Sequence, residues 1–155
     1  MNTGQDVDRV PAIAHYETLR RFFLLGYAMN IVLWFVPAVK ARVGGFFGFG
    51  GKEELLSMFS FARMVSQGSP GLAMFLVLVF ASNIVFIVLA LKYPKRWIFL
   101  AGSSLAAFFL LLDVFSSNSN DQVRYLLLPR LLDWAATALT LTGFLIKPPA
   151  LGGEA

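Results

Sequence analysis

Between Leu72 and Leu91 the chain runs 20 residues without a charge, broken by Ser82 and Asn83 as its polar members. At about 1.5 Å per residue, such a run is about 30 Å long as a helix, the thickness of a bilayer's hydrocarbon core. A helix that is apolar all round belongs either deep inside a large protein or in lipid. Composition agrees with lipid. Hydrophobic residues make up 57% and charged residues 14%, and mean hydropathy is +0.69, where an average soluble protein is about 45–50% apolar.

Three further runs have similar length. Phe22 to Val39 is fenced by Arg20, Arg21 and Lys40 and predicts a span over 22–39, with Pro37 ending it in its last turn. Tyr93-Pro94-Lys95-Arg96 makes a tight turn into a span over 97–115, which meets Asp113 near its far end. After a polar loop, SSNSNDQ (116–122), a span over 126–146 carries Arg130 and Asp133 in its first turns. The expectation is an all-α polytopic membrane protein: one integral domain over 1–155, four antiparallel transmembrane helices, and solvated tails over 1–19 and 147–155. The first run starts too far in and is too long for a cleaved signal peptide, so it is expected to stay as an anchor.

Between the first two spans, GGFFGFGG (44–51) alternates glycines with Phe46, Phe47 and Phe49, and its GFGG (48–51) reads as a flexible hinge. The following 52–67 reads as an amphipathic interfacial helix, with Leu55, Met58, Phe59, Ala62 and Val65 on one stripe and Glu54, Ser57 and Ser60 opposite. It either lies in the membrane surface or caps the mouth of the helices. Gly68-Ser69-Pro70-Gly71 breaks it before the second span.

The net charge of +4 and pI near 9.7 do not point to nucleic acid, because the cations sit in small groups at the ends of apolar runs, where membrane helices keep their anchors. Lys and Arg number 7 on the side of the termini and 6 on the other. The densest basic cluster is the turn KYPKRW, and short loops weigh most in the positive-inside rule, so both termini are expected in the cytoplasm. With no cysteine and one histidine, thiol chemistry, disulfides, HExxH and multi-histidine metal sites are excluded. No P-loop, GxGxxG, GxSxG or EF-hand pattern occurs, and no cofactor or metal is expected.

Polar groups inside spans mark the sites worth weighing, because lipid penalises them unless they pair or face water. Counting residues from the span ends puts Asn30, Asn83, Ser103, Ser104 and Thr140 at one depth, a polar layer shared by four helices. It serves either as interhelical glue or as a substrate or ion site. The pairs Gly102 with Ala106 and Ala136 with Thr140 have the small-xxx-small spacing that lets backbones approach. At the other end Asp113, Arg130 and Asp133 share a second depth, and the simplest arrangement is an ion-pair cluster in which the guanidinium bridges two carboxylates.

Two carboxylates on neighbouring helices near a membrane surface can also work as an acid and a base. Size, four spans, an interfacial element after the first span and the placement of Asp113 and Asp133 resemble the lipoprotein signal peptidases. That family surrounds its aspartates with asparagines, as in NxxD and FNxAD; here the stretches read LLLD (110–113) and RLLD (130–133), so the match covers the aspartates alone. The resemblance implies an intramembrane aspartyl hydrolase with Asp113 and Asp133 as its catalytic pair.

The leading expectation is a small integral protein of the cell (inner) membrane acting by helix–helix contacts, as an accessory, regulatory or immunity-type partner. Its partners would be the lipid bilayer and another membrane protein or a second copy of itself. The aspartyl hydrolase and a subunit of a small channel or transporter are the alternatives; the latter is disfavoured for a chain acting alone, since mid-span positions carry no ionisable residue.

Overall fold

Helix formation begins well before the first apolar run. In the computed structural model, which describes residues 4–43, 52–116 and 123–147, with side chains over 13–40, 54–112 and 126–147, α1 spans Gly4–Leu33. Tyr16, Leu19, Phe23 and Tyr27 are buried along one stripe of it, spaced by three or four residues so that they share a face. The expected solvated tail over 1–19 is therefore corrected: from Gly4 it continues the first helix, and Tyr16 and Leu19 belong to the core.

The first span is also shorter at its other end than the expected 22–39. Trp34, Phe35 and Val36 close the helix with hydrogen bonds to the carbonyls of Ile31, Val32 and Leu33, and Pro37, which disfavours helical geometry in the residue before it, opens strand β1 (Pro37–Val43). The stretch expected as an interfacial helix over 52–67 divides in two. Lys52–Ser57 is strand β2, and Met58–Val65 is helix α2, whose start is fixed by the Ser57 hydroxyl accepting from the Ser60 amide. The sequences of β1 and β2 pair antiparallel, Lys40 opposite Leu55 and Arg42 opposite Glu53. A third strand, β3 (Val123–Tyr125), adds to the other edge of β1, giving the order β2-β1-β3.

Helix α3 spans Pro70–Lys92, with Pro70 in the first turn, where its missing N–H is no loss. Helix α4 spans Arg96–Ser116. Helix α5 spans Leu127–Leu141 and tightens into a 3₁₀ turn over Thr142–Leu145, so the expected fourth helix over 126–146 is regular for 15 residues. The helical class is as expected; the small sheet is an addition. The expected hinge at 48–51, all but the first residue of the expected polar loop and the expected tail beyond 147 lie outside the described residues, as do all of 44–51 and 117–122.

α1 packs along α5 and α3, and α4 packs along α5 and more lightly along α3. One apolar cluster, Tyr16, Leu19, Phe23 and Tyr27 with Ala90, Ile98, Phe99 and Ile146, joins them toward the basic turn. Phe23 is its centre, edge-on to Tyr27 at 5.0 Å and to Phe99 at 5.1 Å. The sheet and α2 lie at the opposite end, tied down by the Phe59 amide donating to the Trp34 carbonyl (3.1 Å) and the Leu126 amide to the Ala38 carbonyl (2.8 Å).

The exterior of the helices is apolar and the interior partly polar. Val77, Leu78, Val85 and Phe108 are exposed, while Asn83, Ser103, Thr137 and Thr140 are buried. Among the described residues one helix, α3, is long and apolar enough to cross a membrane by itself, and only 11% of its most apolar 18-residue stretch is buried in the protein; Arg96–Leu112 is a shorter apolar helix.

Candidate functional site

Two adjoining cavities lie between the helices, at the end covered by the sheet and α2. The inner one, about 100 Å³, is lined by polar groups from three helices: Tyr27 and Asn30 of α1, Ser82 and Asn83 of α3, Asp133 and Thr137 of α5. The outer one, about 510 Å³, is mostly apolar, with Leu33, Phe61, Leu72, Phe75 and Leu112 on its walls and Arg130 at its side. Asn30, Trp34, Val79, Phe109 and Asp133 line both. They therefore share a wall, and Asp133 is the carboxylate on it.

Helical spacing explains how distant sequence positions converge. Tyr27 and Asn30 fall at i and i+3 of α1, with Trp34 in the turn that closes it, Val79 and Asn83 at i and i+4 of α3, and Asp133 and Thr137 at i and i+4 of α5. Each pair presents one face, and antiparallel packing brings the faces together. Tyr27, Ser82, Thr137, Trp34 and Phe109 were not among the expected site residues. For Tyr27 and Thr137 the helix face shared with Asn30 and Asp133 was the signal that could have found them; Ser82, Trp34 and Phe109 carried no such signal.

The expected polar layer resolves into two parts. Asn30 and Asn83 line the inner cavity without bonding to each other: the Asn83 Nδ2 donates to the Val79 carbonyl of its own helix (2.9 Å), and the Asn30 Oδ1 has no protein partner. Ser103 and Thr140 form a buried seam between α4 and α5, where the Ser103 Oγ donates to the Thr140 carbonyl (2.7 Å) and the Thr140 Oγ1 to the Thr137 carbonyl (2.7 Å). Ser104 is exposed, since consecutive residues point about 100° apart around a helix, and it belongs to neither part.

Of the expected charged cluster, Arg130 and Asp133 lie one turn apart on α5 and both line the outer cavity. The Arg130 guanidinium also sits 5.2 Å from the centre of the Trp134 ring, a cation–π contact. Asp113 lies in the last turns of α4, at the end of the molecule where α5 begins; its side chain is outside the described residues. No protein-family model, no curated protein and no solved structure matches the chain.

Proposed function

We propose that the chain is a multi-pass protein of the cell membrane, a bundle of four antiparallel spanning helices with both termini in the cytoplasm and the sheet and α2 on the outer side. Support for membrane immersion comes from α3, a 23-residue helix whose most apolar 18-residue stretch is only 11% buried; the core helix of a soluble protein would be mostly covered. The 3₁₀ turn Thr142–Leu145 lengthens α5 toward a full span.

Within that frame the reading is an intramembrane aspartyl hydrolase acting on an apolar, membrane-embedded substrate, with Asp113 and Asp133 as acid and base. One observation carries it: Asp133 stands where an apolar cleft of about 510 Å³ meets a polar pocket, so a substrate held by its apolar part would present its polar bond to a carboxylate. One carboxyl keeps its proton and gives it to the substrate, while the other, ionised, takes a proton from the attacking water.

The second reading is the contact-type partner, in which the same cleft holds an apolar segment of another membrane protein and leaves it intact. Arg130 favours it, because a guanidinium on the same wall as Asp133 suits an ion cluster better than an acid–base pair. Three variants separate the two. For the hydrolase, Asp113→Asn and Asp133→Asn keep their melting temperatures in detergent, and each lowers the cleavage of the same membrane proteins by about 10²–10⁴-fold, read from new N-termini in the membrane proteome. Unchanged N-termini, together with an Arg130→Ala variant that melts below both Asn variants, would overturn the hydrolase in favour of the partner.

A further inference from the structure

The inner cavity has a property that neither reading of Asp113 and Asp133 requires. Tyr27 is 3% exposed, and its hydroxyl has no protein partner; the Asn30 Oδ1, one turn further along α1, is buried and equally without one. Both residues line the 100 Å³ pocket, as do Ser82, Asn83 and Thr137. Two unpaired polar atoms beside a polar pocket are a costly arrangement in a dry interior, more so in a protein surrounded by hydrocarbon. A buried water that reaches two to four such groups removes that penalty, and since one water occupies roughly 30 Å³ the pocket has room for several.

We infer that the pocket is a water site: a small cluster of ordered water molecules held inside the membrane domain by Tyr27, Asn30, Asn83 and Thr137 and reaching Asp133. The hydroxyl of Tyr27 donates to it and the Asn30 carbonyl accepts from it. The Asn83 amide, whose nitrogen is engaged with Val79, offers its oxygen. The apolar cluster around Phe23 and Phe99 closes the site toward the basic turn, and Asp133, which is exposed, opens it toward the outer cleft. The carboxyl group of Asp133 is thereby reached by water from within the protein.

Hydroxyl-radical footprinting of the intact protein in lipid nanodiscs tests this without any substitution, because radicals generated from bound water label the side chains touching it. Tyr27 is expected to be modified several-fold faster than Phe23 and Phe99, which are as buried but line no polar pocket. Labelling of Tyr27 at the slow rate of those two phenylalanines overturns the water site. A second measurement uses the sign of a stability change. With water present, Tyr27→Phe and Asn30→Leu each lower the melting temperature by stranding hydrogen-bond partners; in a dry pocket each removes an unpaired polar atom, and an unchanged or higher melting temperature counts against the proposal. Neither readout depends on hydrolysis, so the water site and the catalytic reading fail separately.

Discussion

Arg20 carries its charge from α1 across to the end of α3, where one guanidinium nitrogen donates to the Ala90 carbonyl (3.2 Å) and the Leu91 carbonyl (3.4 Å). These carbonyls belong to the last helical turn, where the partial negative charge of a helix end favours a cation. The other nitrogen meets Glu17 at 3.5 Å, which orients the side chain. Arg20→Ala is expected to lower stability in detergent by about 1 kcal/mol, and Arg20→Lys to recover part of it; equal melting temperatures for all three would show that α3 ends without this help. One turn earlier, burial raises the Tyr16 hydroxyl above its ordinary value of 10.0, with Arg20 pulling the other way. The fold thus prefers the neutral phenol. Its contribution is complete below pH 10 and is lost as pH rises through the raised value. The loss of melting temperature between pH 9 and 11 is expected to be shallower in Tyr16→Phe than in the wild type.

At the scale of elements, the contact between α1 and α5 depends on the absence of a side chain. A Cβ on Gly26 would lie 2.6 Å from the Ala136 carbonyl oxygen and 2.7 Å from the Thr140 amide nitrogen, which is backbone and cannot turn aside. The small residues Ala136 and Thr140 provide the surface that Gly26 meets, so their four-residue spacing serves close backbone approach. Gly26→Ala is expected to destabilise by about 1–3 kcal/mol through overpacking. Gly71, with nothing within 4 Å of its Cβ position, supplies the contrast: Gly71→Ala is expected to be neutral or mildly stabilising. Equal melting temperatures for the two variants would mean that α1 and α5 can part without cost. Spacing alone made the small residues of α5 visible, but their partner Gly26 had no pattern of its own.

For the whole molecule, the apolar exterior and the dense basic cluster of the turn at Lys92 to Arg96 make the proposed orientation the property to test. The chain contains no cysteine, so single cysteines can be introduced without background. Lys95→Cys in the basic turn is expected to resist a membrane-impermeant maleimide in intact cells, and Asn118→Cys in the polar loop to react with it. The opposite pattern would invert the molecule and move the sheet, α2 and both cavities to the cytoplasmic face.

The sequence by itself determined the helical class, the break at Gly68 to Gly71, the tight turn at Tyr93 to Arg96 and the antiparallel course of α3 and α4. All of these follow from local properties, namely runs of apolar side chains, flanking charges, and prolines that end helices. It also singled out Asn30, Asn83, Arg130 and Asp133 as polar groups needing an explanation. The sheet escaped it, although Val39-Lys40-Ala41-Arg42-Val43 alternates apolar and polar residues as a half-buried strand does. A strand this short is stable only once paired, and β1 is completed by Lys52–Ser57 on one edge and, on the other, by Val123–Tyr125 from far along the chain. Tertiary structure likewise decided that Asn30 and Asn83 face a shared pocket without bonding each other, that Ser104 faces outward, and that Asp133 sits between an apolar cleft and a polar cavity. Residue counting gives depth along a helix. Which side chains meet at that depth depends on the rotation of each helix about its own axis, and that is set by packing contacts such as Gly26 on Thr140 and Phe23 on Phe99.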